Sequence, residues 1–223
     1  MSAALRTSPL APPPPAASLL AAQALGCRRG RRWLFKGLNL QLASGSITWL
    51  RGRNGSGKTS LLRILAGLSA PAEGLVHRPS ALVLPGAGQG VLYIGHTNAL
   101  KDDLTLAEAV AFLGQLQGLD DAPRRARAAL DRLGLASRRD APVRTLSQGQ
   151  RRRGALARLA LDDRPAAWIL DEPYDALDQD SVQLLSGLIE AHAARGGAVL
   201  LTSHQSVALA GATEFDLEPW RVA

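Results

Sequence analysis

Residues 50–60 constrain this chain more than any other stretch: Leu-Arg-Gly-Arg-Asn-Gly-Ser-Gly-Lys-Thr-Ser. Gly52, Gly57, Lys58 and Thr59 carry the spacing G-x-x-x-x-G-K-[ST], with a further glycine at Gly55. The three glycines let the backbone turn so tightly that successive N–H groups point into one concavity. Residues 46–50 read as a short buried strand, and residues 60–68 as a helix with an apolar face closed by glycine. A helix N-terminus behind a glycine turn is a phosphate-binding arrangement. In it, Lys58 reaches the β- and γ-phosphates and Thr59 offers its hydroxyl to Mg²⁺. Gly52, Arg53, Asn54, Gly55, Ser56, Gly57, Lys58, Thr59 and Ser60 are therefore the candidate nucleotide-binding residues. Lysine is scarce here, occurring only as Lys36, Lys58 and Lys101. Its presence where a compact point charge is required is informative, because the planar fork of arginine does not substitute.

The 223 residues suit one domain with an inserted subdomain, and a 46% hydrophobic content supplies a sizeable core. The formal net charge of +7 points to an acidic partner: ATP or an anionic membrane face. Arginine on ordinary solvated faces accounts for part of that excess. Nucleic acid is not expected as a partner, because aromatic residues make up only 4% and no basic-aromatic stacking pattern is present. The single cysteine, Cys27, excludes an internal disulfide and fits a reducing compartment. No apolar run approaches the ~20 residues that span a bilayer, so the chain is expected to have no membrane span of its own. The four prolines from Pro12 to Pro15 break the early apolar segment, and residues 1–17 read as a disordered tail.

Along the chain, residues 19–27 and 33–42 read as two strands joined by an arginine-rich turn. After the glycine loop and its helix, residues 71–74 form a turn. Residues 75–77 and 81–84 are short extended pieces, 85–90 a loop, and 91–94 a buried strand. Residues 98–163 contain no good strand. Thr105 and Glu108 form a capping box for a helix whose apolar face is Ala109, Phe112, Leu113 and Leu116. Pro123 starts a second helix that Gly134 ends, and residues 148–161 form a third. Residues 166–172 are an apolar strand ending in Asp171 and Glu172. Residues 180–195 are an amphipathic helix, and 198–204 a buried strand ending in His204. Alternating apolar strands and helices imply an α/β fold with a mainly parallel sheet, its site at the C-terminal strand ends. The organisation expected is a tail at 1–17, an ATP-binding core at 18–97 and 164–212, a helical insertion at 98–163 and a C-terminal tail at 213–223.

The glycine loop, Asp171, Glu172 and His204 all fall at such strand ends. A carboxylate beside a phosphate loop supplies an oxygen ligand to Mg²⁺, so Asp171 joins Thr59 as a candidate metal ligand. Glu172 is the candidate base for an attacking water, a role worth about 10²–10⁴ in rate. His204 is placed to hydrogen-bond the γ-phosphate, and Glu172, His204 and Lys58 are the candidate catalytic residues.

Leu146-Ser147-Gln148-Gly149-Gln150 reads locally as a helix start in which Ser147 caps and Gln150 follows three residues on. Lying between the phosphate loop and Asp171, this L-S-x-G-Q resembles the signature of the ABC transporter ATPases. With Lys58, Asp171-Glu172, Ala176-Leu177-Asp178 and His204, the chain resembles an ABC ATP-binding subunit over residues 19–212. The resemblance implies a P-loop NTPase core with antiparallel strands on its N-terminal side and an inserted α-helical subdomain. It implies two copies facing head to tail, with ATP between the P-loop of one and Ser147, Gln148, Gly149 and Gln150 of the other. Asp178 would lie in the loop coupling the two sites. The partners implied are a second copy and integral membrane permease subunits, reached through a groove in the helical subdomain.

Residues 54–63, Tyr93-Ile94-Gly95-His96, residues 101–105, residues 152–159 and Thr202-Ser203-His204-Gln205 are similar to the haem-exporter ATPases of the cytochrome c maturation system. That branch implies a place on the cytoplasmic face of the bacterial inner membrane and a role in haem export or in remodelling a haem-bearing complex. The alternatives are export of another substrate and an ATP-gated regulatory module without turnover. A DNA-repair or translation ATPase needs long coiled-coil insertions or two cassettes, which this chain lacks. Two departures from the family stand out. Its usual glutamine after the strand ending near Ile94 is replaced by Thr97, with His96 and Asn98 as neighbouring substitutes. Its usual adenine-stacking aromatic is replaced by arginine near Arg29, with Trp33 as the other candidate.

Overall fold

The computed structural model describes residues 18–78, 90–205 and 207–222. The expected tail at 1–17, the extended piece at 81–84 and nearly all of the loop at 85–90 lie outside them.

Strands β1 (Ser18–Arg29) and β2 (Arg32–Ala43) form an antiparallel hairpin. The turn between them closes on Gly30 at φ 61°. β4 (Glu73–His77) pairs with the other side of β1 and completes a three-stranded antiparallel sheet. The second sheet contains β3 (Ile47–Arg51), β5 (Val91–Ile94), β6 (Ala167–Leu170), β7 (Ala198–Leu201) and β8 (Ala212–Asp216). Its order is β5-β6-β7-β3-β8, and every pairing is parallel.

The central strands are buried on both faces, which is why they read as continuous apolar runs. The pleat sorts their side chains between two cores. Ala167, Ile169, Ala198 and Leu200 face the core shared with β1, β2 and α1 (Lys58–Leu65). Trp168, Leu170, Val199 and Leu201 face the core shared with α5 (Gln179–Ala194) and with the helices inserted between β5 and β6. Those helices are α2 (Leu106–Leu116), α3 (Ala122–Arg132) and α4 (Gln148–Leu156). The inserted block is thus welded to one face of the parallel sheet by a common hydrophobic cluster.

Several expectations hold at the level of single residues. Thr105 and Glu108 form the capping box of α2, proline sits in the first turn of α3, and Gly134 at φ 68° follows its end. Gly67 at φ 80° closes α1 through the Gly67 N–H to Ile64 and the Leu68 N–H to Arg63.

Four details differ. β5 is an edge strand, so only Ile94 is fully buried. α2 turns Leu106, Ala107, Val110 and Gly114 inward and leaves Phe112 41% and Leu116 64% exposed. The helix packs through its small residues: Gly114 lies where an added Cβ would sit 3.2 Å from Ala122 Cβ, an approach larger side chains would prevent. The third helix stops at Leu156 and tightens into a 3-10 turn over Ala157–Ala160. Finally, residues 213–222 do not trail away. β8 runs along β3 from Ile47↔Ala212 to Arg51↔Asp216, and the fully buried Leu217 leads into a 3-10 turn at Glu218–Trp220. As a half-exposed edge with little apolar content, the strand carries only a weak sequence signal.

Candidate nucleotide site

The loop from β3 into α1 takes the shape its glycines permit: φ is 145° at Gly52, 77° at Gly55 and 108° at Gly57. These are left-handed conformations that side-chain-bearing residues rarely adopt. Gly57 also passes close to the hairpin, where an added Cβ would lie 3.3 Å from Leu34 Cβ and from the Phe35 ring. Ser56 is buried in the turn, and its N–H bonds to the Arg53 carbonyl at 3.1 Å. Lys58 Nζ donates to the carbonyls of Gly52 (2.6 Å) and Arg53 (3.2 Å), so its ammonium lies across the loop.

Asn54, Gly55, Gly57, Lys58, Thr59 and Ser60 share a cleft of about 270 Å³ with Asp171, Glu172 and His204. The parallel sheet brings these together, because β3 and β6 end on the same side and the loop after β7 delivers His204. Thr202 organises the far wall. Its hydroxyl donates to Asp171 Oδ1 at 3.1 Å and accepts the Glu172 N–H at 2.9 Å. Glu172 is held at φ 49°, a costly conformation for a side-chain-bearing residue. Its carboxylate accepts the His204 N–H at 2.9 Å, and the His204 ring Nε2 stands 3.6 Å from the other oxygen. Glu172 is thereby aimed into the cleft with one oxygen fixed by the backbone that follows β7.

Asp171 and Thr59 both line this cleft and offer hard oxygen donors, the donor chemistry that Mg²⁺ takes beside a polyphosphate. Of the two adenine candidates, Arg29 lines the cleft. Trp33 is covered instead by cations, with Lys36 Nζ 3.8 Å and Arg28 Cζ 5.1 Å from its ring centre. After β5, Asn98 reaches Arg152 (3.5 Å) and the His96 ring stands 3.8 Å from Asp175, while Thr97 is exposed.

Ser147 caps α4, with Gln150 returning the bond, and none of Ser147, Gln148, Gly149 or Gln150 lines the cleft. Gly149 instead packs on the loop after Glu172, where an added Cβ would meet the Ala176 carbonyl at 3.0 Å. Asp178 ends that loop as the N-cap of α5, accepting the Ser181 N–H at 2.9 Å.

A second support for the loop had no sequence signal. The Glu218 carboxylate accepts the Arg53 N–H at 2.9 Å and pairs with Arg221 at 2.8 Å. The Arg53 amide, and then the Arg221 side chain, hold its pKa below the ordinary glutamate value. Removing this acceptor in Glu218→Ala frees the first peptide of the loop. ATP affinity, measured by isothermal titration, is expected to fall about threefold to tenfold, and an unchanged affinity would make the C-terminal turn irrelevant to the loop.

The ABC transporter family model matches residues 35–175, from the hairpin beneath the loop to just beyond Glu172. The chain belongs to the ABC transporter family. Among relatives of this ABC ATPase is the cytochrome c biogenesis ATP-binding export protein CcmA of Nitrosospira multiformis. The two are 46% identical over 191 residues, covering 84% of this chain and 92% of that protein. CcmA of Haemophilus influenzae is 44% identical over 191 residues, covering 84% and 90% of the two chains. These likenesses set the protein in the CcmA branch of the ABC ATPases. A solved ATP-binding subunit of an ABC transporter superposes with a TM-score of 0.73 at 25% identity, covering 84% of this chain and 80% of that one. No helix among the described residues of this ABC ATPase is long and apolar enough to cross a membrane.

Proposed function

We propose that this chain is the ATP-hydrolysing subunit of a bacterial inner-membrane transporter used in cytochrome c biogenesis, acting as a head-to-tail pair beneath separate membrane subunits. The observation that carries the hydrolytic part is the cleft in which Thr59, Asp171, Glu172 and His204 meet the glycine loop. The named activity of the Nitrosospira and Haemophilus relatives supports the cytochrome c part.

In this reading the loop N–H groups and the start of α1 bind the ATP phosphates, and Lys58 exchanges its two carbonyl contacts for β- and γ-oxygens. Thr59 and Asp171 would hold Mg²⁺, which when bound would supply charge neutralisation at the phosphates. Arg29 lies against the base. Glu172 accepts the proton of the water that attacks the γ-phosphorus. The bond from that phosphorus to the bridging oxygen breaks, and ADP leaves with the oxygen. His204 donates to the γ-phosphate.

The signature corner Ser147–Gln150 stands outside its own chain's cleft, so its capped helix start is free to donate to the nucleotide of a second copy. ATP then clasps two copies together, and hydrolysis removes the γ-phosphate contacts that favoured the closed pair. A membrane subunit reads this motion on the cytoplasmic face of the inner membrane. Its docking surface is a cleft of about 540 Å³ where the inserted helices meet the core, lined by Leu68, Tyr93, Gln117 and Leu159 among others.

The geometry is tested by cysteines placed through Asn54→Cys and Ser147→Cys. Crosslinks are expected between chains, and only when ATP is bound. A pair that never crosslinks between chains, with ATP shown to be bound, would overturn the head-to-tail arrangement.

A further inference from the structure

Arg152 is the most deeply buried arginine among the described residues, at 3% exposure, and its guanidinium bridges three segments. One amino group donates to the Gly95 carbonyl (2.9 Å) and reaches Asn98 Oδ1 (3.5 Å) in the loop after β5. The other donates to the carbonyls of Glu172 (2.6 Å) and Asp171 (3.3 Å). The side chain itself rises from α4, less than two turns beyond Ser147. Burying a guanidinium is costly, and Asp175, Asp171 and Glu172 supply the nearby negative charge that offsets it.

A local turn bond from the Asp175 N–H to the Glu172 carbonyl (3.3 Å) is joined by three longer-range contacts that hold Glu172 in its left-handed conformation. Thr202 takes its N–H, the His204 N–H meets its carboxylate, and Arg152 takes its carbonyl. Only the third comes from outside the parallel sheet and its connecting loops. The first turn of α4 leans on the same segment through Gly149 against Ala176. The signature corner and Arg152 therefore move as one rigid helix, with two points of contact on the loop carrying the base.

We propose that Arg152 is a positioning residue: its forked guanidinium holds the Glu172 backbone in the hydrolytic pose and makes that pose depend on where α4 and residues 95–98 sit. The inference rests on Glu172 being the base. A second nucleotide meeting Ser147–Gln150, or a membrane partner shifting residues 95–98, then reaches the Glu172 backbone through Arg152. The fork is essential to this role, because a lysine carries all its donors on one nitrogen and cannot occupy both sites that the two separate amino groups of Arg152 reach.

The test uses the full chain with Arg152→Lys and Arg152→Gln, measuring steady-state ATP hydrolysis, KM for ATP and melting temperature. The expected result is a fall in kcat of about tenfold to a hundredfold with KM within about twofold, because the base is misplaced while the phosphate loop is untouched. Lysine is expected to rescue no better than glutamine. Full rescue by lysine would show that charge alone matters and would overturn the proposal. So would kcat and KM worsening together with a lowered melting temperature, or failure of both variants to fold, either of which marks a purely structural residue. Asn98→Ala leaves the guanidinium in place and removes one of its ties to the loop; kcat is expected to drop about twofold to fivefold, and no change would overturn the link to residues 95–98. Failure of the underlying reading looks different: Glu172→Gln would then keep its turnover whatever Arg152 does.

Discussion

Glu172→Gln is expected to bind ATP as tightly as the parent chain and to hydrolyse it about 10²–10⁴ times more slowly. The contacts that set the backbone pose of residue 172 run to its N–H and its carbonyl, so the amide does not disturb them. The amide oxygen still accepts the His204 N–H. What is lost is the capacity to take a proton from the attacking water. Since the glycine loop, Lys58 and Arg29 lie elsewhere in the cleft, binding survives. With the γ-phosphate no longer consumed, the closed pair accumulates. Phosphate release should be nearly abolished, and gel filtration in ATP should show a mass twice that seen without nucleotide. Turnover at the parent rate would remove Glu172 from the mechanism.

Gly197→Ala, in the turn before β7, is expected to be strongly destabilising. An added Cβ would lie 2.1 Å from His192 Nε2 and 2.2 Å from its Cδ2. The ring has nowhere to go. It is fully buried, stacks on Trp168 at 3.6 Å and 7°, and bonds to the Ala166 carbonyl at 2.9 Å. Admitting the methyl group forces the imidazole out of the stack and away from that carbonyl. The overpacking and the lost buried hydrogen bond together are worth about 3 kcal/mol. For a chain of this size that corresponds to a fall in melting temperature of roughly 6–12 °C. Gly187→Ala is the control. It lies in α5 with nothing within 4 Å of the new Cβ, and it should be stabilising by up to about 1 kcal/mol. Equal melting temperatures for the two variants would show that the His192–Trp168 stack yields freely.

His192 and Gly197 carry no sequence mark of their importance. A histidine late in an amphipathic helix and a glycine before a strand are unremarkable by themselves. Their partnership exists only because α5 returns the chain antiparallel to β7 and sets the ring on β6. The same holds for Arg152, which reads as one of three consecutive arginines, of which the fold buries this one alone. Thr202 and Glu218 reach the site because β7 and β8 each pair with β3, and neither pairing is a local property.

What the sequence by itself determined is the chemistry and the order of its parts. Phosphate binding, the paired carboxylates and the capped signature helix depend on residue type at short spacing, and local backbone preferences enforce them wherever they occur. The parallel sheet and the helical insertion follow from the periodicity of apolar residues, again a short-range signal. Only the tertiary structure decided which wall each part stands on: that Arg29 rather than Trp33 faces the cleft, that the signature corner stands outside it, and that the C-terminal residues brace the glycine loop. Those outcomes come from contacts between segments far apart in the chain, whose energies depend on shape and burial that no single stretch encodes.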